Sequence, residues 1–133
     1  MTVPLLKVLV VDDDPSNVEL LRMRLQTLEC ETLVARTPTE GLQVASEAQP
    51  DLILLDLRLG YDALGGLDLL QQLRDADGTS KIPVFIHSIF VANRGDLPDA
   101  EALSDGFLLK PFKFEDLKRI IAGFRRAPVT QAS

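Results

Sequence analysis

The sequence predicts a single doubly wound α/β domain, in which helices cover both faces of a five-stranded parallel sheet. Two observations predict this fold: five short runs are apolar almost throughout, and most of the stretches between them carry helical periodicity. Strands that are apolar on both faces are typical of a parallel sheet buried between two layers of helices. The length of 133 residues suffices for one such domain.

The five apolar runs have the length and the aliphatic content of buried strands. By residue number they are 6–11, 32–35, 51–55, 83–87 and 107–109. The first run, LKVLVV, is followed directly by Asp12, and the third, DLILL, is followed by Asp56. Both strands are therefore expected to end at acidic side chains.

Helix signals follow the first two strands. Asp14 and Pro15 combine an N-cap with a proline at the first helical position, and Thr37 takes the same capping place before the second helix. Apolar residues at helical spacing from Val18 to Leu25 give the first helix a buried stripe. The later helices are predicted over residues 38–48, 67–76, 98–103 and 114–124.

Composition and charge narrow the class of protein. We predict a domain over residues 1–126 and a disordered tail over residues 127–133. The formal net charge of −6 disfavours direct binding to nucleic acid, whose phosphates attract clustered Lys and Arg. No apolar run approaches the roughly 20 residues that cross a bilayer, so we expect no membrane partner. The single cysteine, Cys30, cannot form an internal disulfide, which favours a cytoplasmic location.

Polar side chains follow four of the five predicted strands. Asp12 and Asp13 follow the first strand, Asp56 the third, Ser88 the fourth and Lys110 the fifth. In a parallel sheet the carboxyl ends of the strands share one edge, and ligands bind where the strand order reverses. If the first, third and fourth strands are neighbours, these side chains converge on one crevice.

Three carboxylates in one crevice need a compensating charge, because two unit charges 4 Å apart repel by about 4 kcal/mol at an effective dielectric constant near 20. Mg²⁺ or Mn²⁺ would relieve this repulsion, since such ions prefer carboxylate oxygens and also bind phosphoryl groups. Lys110 supplies a positive charge for a phosphate oxygen, and Ser88 supplies a hydrogen-bond donor. Asp56 can then act as a nucleophile and form an aspartyl phosphate.

Four segments, VLVVDDDP, DLILLD, PVFIHS and FLLKPF, resemble the motif regions of the response-regulator receiver family and occur in the same order. The resemblance covers residues 5–124 and is closest in kind to the single-domain receivers of chemotaxis. It implies a flavodoxin-like strand order, 2-1-3-4-5. Each segment alone is a weak signal, whereas four in order are highly specific.

Carried over by position, the resemblance implies a metal and phosphoryl site. Asp12 and Asp13 resemble the acidic metal-binding pair, and Asp56 matches the phosphoacceptor, which also ligates the metal. The backbone carbonyl two residues beyond the acceptor, here that of Arg58, completes the protein ligands. Lys110 matches the lysine that contacts the phosphoryl group.

The resemblance also implies a switch and a set of partners. Ser88 matches the switch hydroxyl, and Phe107 resembles the aromatic residue whose rotamer follows it. A sensor histidine kinase or a phosphotransfer protein would donate the phosphoryl group, and a downstream protein target would read the surface of the fourth helix, fifth strand and last helix. Such a module is not a turnover enzyme and at most catalyses its own phosphorylation and dephosphorylation.

Two departures from the family pattern lie near the site. In LRLGYDALGGLDLL, Gly60 replaces the usual proline and about two extra residues precede Gly66. Ile89 follows Ser88 where the family favours a small residue. We expect the longer loop to alter kinase docking or phosphoryl lifetime, and Ile89 to slow phosphorylation by small donors.

The sequence leaves rival functions open. A degenerate receiver would keep the fold and act as an interaction domain without phosphorylation. Asp12-x-Asp14 resembles the nucleophile motif of haloacid-dehalogenase-type phosphatases, although Ser16 replaces the favoured Thr or Val and no later acidic motif or cap domain follows. A flavodoxin-like FMN binder shares the fold, but three acids in the crevice would repel its phosphate.

Overall fold

The computed structural model describes residues 5–58, 65–88 and 97–131, without the side chains of residues 97–98 and 125–131. Its five strands form one parallel sheet in the order β2-β1-β3-β4-β5. The strands are β1 Leu6–Val11, β2 Cys30–Ala35, β3 Leu52–Leu55, β4 Val84–Ile86 and β5 Gly106–Phe107. This topology confirms the predicted doubly wound sheet and its flavodoxin-like order. The order reverses between β1 and β3, which sets the crevice at their carboxyl ends.

Five helices connect the strands and cover both faces of the sheet. They are α1 Pro15–Thr27, α2 Pro38–Ala48, α3 Gly65–Asp75, α4 Leu97–Leu103 and α5 Phe114–Gln131. The two capping predictions are confirmed: Asp14 Oδ1 accepts a hydrogen bond from Ser16 N at 3.1 Å, and Thr37 Oγ1 accepts one from Glu40 N at 3.1 Å. In the described residues, no helix is both long enough and apolar enough to span a membrane.

The alternation of side chains along β1 divides the interior into two cores. Leu9 and Val11 face one core and Val8 and Val10 face the other, and all four are fully buried. Helical residues complete the first core from α2, α3 and α4: Ala45, Leu69, Leu70, Leu73 and Ala100. Residues of α1 and α5 complete the second core: Val18, Leu21, Leu25, Leu117 and Ile121. Because strands of one sheet separate the cores, both faces of the sheet are buried, as the apolar runs predicted.

Several element ends differ from the prediction. β5 is Gly106–Phe107 and not residues 107–109. Leu108 N still donates a hydrogen bond to Ile86 O at 2.7 Å, so the backbone hydrogen bonds to β4 continue beyond the two strand residues. α5 was expected to end at Phe124, yet the backbone stays helical to Gln131. Residues 127–131, predicted as a disordered tail, have helical backbone here, and the domain boundary at residue 126 stays a prediction. Residues 132–133 lie outside the described part of the chain.

Arg74 ties the end of α3 to the segments around β4 and β5. Its Nε donates to Leu103 O at 2.8 Å, and one Nη donates to Ile82 O at 2.7 Å. Its other Nη donates to Asp105 Oδ2 at 3.0 Å, and the same carboxylate oxygen accepts a hydrogen bond from Val84 N at 2.8 Å. The C-terminal end of α4 is therefore held against α3 and β4 by charge-assisted hydrogen bonds.

Candidate metal and phosphoacceptor site

The polar residues predicted at the strand ends converge in the structure. The parallel register pairs Val11 with Leu55, so Asp12 and Asp56 leave neighbouring strands at the same level. Asp12 and Asp56 are buried, with 1% and 6% of their surface exposed, whereas Asp13 is exposed. One carboxylate oxygen from each of the three lies within 4.8 Å of the others. The predicted acidic cluster is therefore present.

Asp12 is fixed on both of its oxygens. Oδ1 accepts a hydrogen bond from Asp14 N at 2.9 Å. Oδ2 accepts one from Asn17 Nδ2 at 2.6 Å and another from Lys110 Nζ at 3.2 Å. A carboxylate held by several donors keeps one orientation, which favours binding of an ion with strict geometry.

Asp56 is held by residues from three segments. Its Oδ1 accepts hydrogen bonds from Ser88 Oγ at 2.9 Å and from Arg58 N at 3.0 Å, and its Oδ2 accepts one from Lys110 Nζ at 3.1 Å. Ser88 Oγ in turn accepts a hydrogen bond from Leu57 N at 3.1 Å. Asp56, the predicted acceptor, thus contacts both the predicted hydroxyl of Ser88 and the predicted lysine, Lys110.

Lys110 lies between the two buried carboxylates. Burial by itself lowers the pKa of the Lys110 ammonium, but the attraction of Asp56 and Asp12 outweighs burial and raises the pKa above its ordinary value. The peptide bond from Lys110 to Pro111 is cis. Three carboxylates and one ammonium leave two formal negative charges, and this set of hard oxygen donors suits a divalent cation such as Mg²⁺.

Glycine is required where α3 begins, directly beside Asp56. A Cβ atom on Gly66 would lie 2.4 Å from the carbonyl oxygen of Asp56 and 2.4 Å from Leu57 Cα. Gly66 N donates to Leu57 O at 3.0 Å. The absence of a side chain therefore lets the helix approach the backbone of the acceptor. Gly60 and the rest of the longer loop, like Ile89, lie outside the described residues.

Two residues beside the site add contacts that matter for its geometry. His87 is buried, and its Nδ1 lies 2.8 Å from Leu108 O, so the histidine is packed and hydrogen-bonded. Its Nε2 lies 3.4 Å from Asn17 Oδ1, and its ring meets Phe112 edge to face. Burial lowers the pKa of His87, although the hydrogen bond to Leu108 opposes this. The sequence analysis missed Asn17; its place one helical turn after Asp13 was the available signal.

The predicted switch aromatic occupies a different place from the acidic cluster. Phe107 is half-buried at the end of β5 and packs against the first core. With Leu109, Pro111, Lys113 and Ile120, among others, it lines a groove of about 520 Å³ between β5 and α5. A change in its rotamer would alter this groove directly.

Family comparison agrees with the resemblance seen in the sequence. The profile of the family described as "Response regulator receiver domain" matches residues 8–122. The chain is 31% identical over 121 residues to the DNA-binding dual master transcriptional regulator RpaA of Synechocystis, and 32% identical over 120 residues to the transcriptional regulatory protein KdpE of Mycobacterium tuberculosis. The alignments cover 90% of this chain and 49% and 51% of those proteins, so the chain spans about half the length of the curated relatives it matches.

Solved structures share the fold. A CheY-like response regulator receiver domain from Methylobacillus flagellatus is 26% identical, with a TM-score of 0.79 over 91% of this chain and 99% of that one. The receiver domain of sensor histidine kinase PA1611 from Pseudomonas aeruginosa, which has a magnesium ion coordinated in its active-site cleft, is 24% identical, with a TM-score of 0.78 over 91% of this chain and 98% of that one. Because RpaA is named as DNA-binding, these relatives do not support the expectation that nucleic acid is no partner, which stays a prediction.

Proposed function

Because the chain belongs to the response regulator receiver domain family, we propose that it accepts a phosphoryl group on Asp56 in the presence of Mg²⁺ and so switches a partner-binding surface. The observation that carries this proposal is the setting of Asp56. It contacts both Ser88 and Lys110, and it shares a cluster of carboxylate oxygens with Asp12 and Asp13.

Asp12, Asp13 and Asp56 would hold the ion, together with the backbone carbonyl of Arg58. Bound Mg²⁺ would neutralise charge on the phosphoryl oxygens. The magnesium ion in the cleft of the Pseudomonas receiver domain supports this assignment by analogy. Mn²⁺ suits the same oxygen donors.

In the proposed transfer, the donor is a phosphohistidine on a sensor histidine kinase or a phosphotransfer protein. A carboxylate oxygen of Asp56 forms a bond to phosphorus while the bond from phosphorus to the imidazole nitrogen breaks, and that nitrogen takes up a proton. Lys110 Nζ, already 3.1 Å from Asp56 Oδ2, is placed to contact the transferred group. The chain acts as a signalling module whose catalysis is limited to its own phosphorylation and dephosphorylation.

The proposed switch starts at the hydrogen bond between Ser88 and Asp56. A phosphoryl group adds about −1.5 to −2 charge and new acceptor oxygens, so the Ser88 hydroxyl can turn from the carboxylate to the phosphoryl group. Ser88 O accepts a hydrogen bond from Lys110 N at 3.0 Å, which connects this movement to the segment after β5. Phe107 and the groove it lines would then change, and a downstream protein target would read the surface of α4, β5 and α5.

We expect protein partners for this segment and no membrane partner, and we expect it to act in the cytoplasm. The net charge of −6 favours protein partners over nucleic acid for this segment taken alone.

The phosphatase alternative loses support, because the Asp14 side chain is exposed and caps α1 through Ser16 N. The degenerate receiver is the alternative outcome of the experiment below.

The test is mass spectrometry of the intact chain after incubation with acetyl phosphate and Mg²⁺. We expect a mass increase of one phosphoryl group that is absent after chelation of the metal and absent in Asp56→Asn. Asp68→Asn, an exposed aspartate on α3, is the matched control and should be modified like the unaltered chain. No modification of the unaltered chain, by this donor or by a phosphohistidine donor, would indicate the degenerate receiver.

A further inference from the structure

Asn17 connects the buried metal-ligand candidate Asp12 to the buried His87. It lies half-buried on the first turn of α1 and faces both residues at once. Its Nδ2 donates to Asp12 Oδ2 at 2.6 Å, the shorter of the two side-chain contacts that this oxygen accepts. The other end of the amide, Oδ1, lies 3.4 Å from His87 Nε2. Asp12 lies only five positions before Asn17, whereas His87 lies 70 positions after it, so the contact with His87 depends on the tertiary fold.

The orientation of the Asn17 amide follows from the chemistry of its neighbours. A carboxylate can only accept hydrogen bonds, so the amide must direct its NH₂ group toward Asp12. A flipped amide would place two acceptors 2.6 Å apart. The carbonyl oxygen of Asn17 therefore faces His87.

His87 meets an acceptor on each side of its ring. In the neutral imidazole the single proton lies on Nδ1, which donates a hydrogen bond to Leu108 O at 2.8 Å, because this acceptor is nearer than Asn17 Oδ1, which lies 3.4 Å from Nε2. Only the doubly protonated ring can donate to both acceptors. Asp12, Asp56 and Lys110 are the charged groups whose fields reach the ring.

From these contacts, and on the basis of the function proposed above, we infer that Asn17 is a positioning residue of the site, which fixes the Asp12 carboxylate for Mg²⁺ and senses the proton on His87. The amide removes rotational freedom from Asp12 that ion binding would otherwise have to restrict. Partners that orient a metal ligand typically change the affinity for the metal by about 10- to 100-fold when they are removed. Lys110 cannot replace the amide, because its ammonium is shared with Asp56.

A magnesium titration followed by two-dimensional NMR of backbone amides tests this inference. Asn17→Leu keeps the approximate size of the side chain and removes its hydrogen bonds. We expect the Mg²⁺ concentration at half-saturation to rise about 10-fold, while the phosphorylation rate at saturating Mg²⁺ recovers towards that of the unaltered chain. Ser16→Ala, an exposed neighbour on the same turn, should leave half-saturation unchanged. If Asn17→Leu fails to fold, Asn17→Ala serves in its place.

The proton link has its own readout. The side-chain amide resonances of Asn17 should shift as His87 titrates in the unaltered chain, and this inflection should disappear in His87→Phe. An unchanged Mg²⁺ concentration at half-saturation in the Asn17 variants would overturn the positioning role. Equal losses in Mg²⁺ affinity and in the phosphorylation rate at saturating Mg²⁺ would overturn it as well. If the Asn17 amide resonances of the unaltered chain show no inflection with pH, the link to His87 is overturned. If the unaltered chain binds Mg²⁺ but takes no phosphoryl group, and half-saturation still rises in Asn17→Leu, the proposed function is overturned while the positioning role of Asn17 is supported.

Discussion

Lys110 is the cation that allows two carboxylates to be buried together, so its removal tests the electrostatics of the site. Lys110 Nζ lies 3.2 Å from Asp12 Oδ2 and 3.1 Å from Asp56 Oδ2. The candidate ligand oxygens of the cluster lie within 4.8 Å of one another, a distance at which two unit charges repel by about 3.5 kcal/mol at an effective dielectric constant near 20. We therefore expect Lys110→Met to lower the free energy of unfolding by about 3 kcal/mol without divalent metal, in the range for breaking a buried ion pair.

Magnesium should restore much of this stability. An ion that binds only the folded state at 100 times its dissociation constant contributes about 2.7 kcal/mol. Lys110→Met should also bind Mg²⁺ more tightly than the unaltered chain, because the ammonium no longer repels the cation.

The assay is urea unfolding followed by circular dichroism, with chelator and with Mg²⁺. Lys118→Met, an exposed lysine on α5, is the matched control and should change stability by less than about 0.5 kcal/mol. A loss in Lys110→Met no larger than that of Lys118→Met, or a loss that Mg²⁺ fails to reduce, would refute the view that Lys110 offsets the repulsion of the acidic cluster.

Three further measurements test other parts of the structure. Arg74→Met removes the donors to Leu103 and Asp105, and urea unfolding should show a loss of about 3 kcal/mol; a loss typical of a surface substitution would contradict this. Gly66→Ala places a methyl group 2.4 Å from the Asp56 carbonyl oxygen, so we expect a loss of roughly 2 kcal/mol and slower phosphoryl uptake by mass spectrometry. Stability should also fall as the pH drops below 6.5 towards the lowered pKa of His87, since the unfolded chain takes up a proton that the buried ring resists. In His87→Phe the loss of stability below pH 6.5 should be smaller. Identical dependence of stability on pH in the two chains would contradict the assignment of this loss to His87.

The ends of the elements show where local sequence signals stop being sufficient. The α2 prediction matches Pro38–Ala48, because Thr37 and Pro38 mark its start by local chemistry. α5 continues past the predicted end and includes Pro128, although a proline lacks the N–H that a helical residue donates. β5 has two residues, although its backbone hydrogen bonds to β4 extend beyond them. The end of a strand depends on its hydrogen bonds to a neighbouring strand, which a local sequence pattern does not predict.

The parallel sheet, the helices on both of its faces and the polar residues at the strand ends could be predicted from the sequence, because periodicity and position along the chain are local properties. The assembly of those residues into a site could not, because it depends on contacts between distant parts of the chain. Lys110 reaches Asp12 across 98 positions and His87 reaches Asn17 across 70, and the strand order that joins them comes from packing two helical layers on one sheet. Asn17 had no strong signal in the sequence, since an asparagine on a helix acquires its role only from the side chains that the fold brings to it.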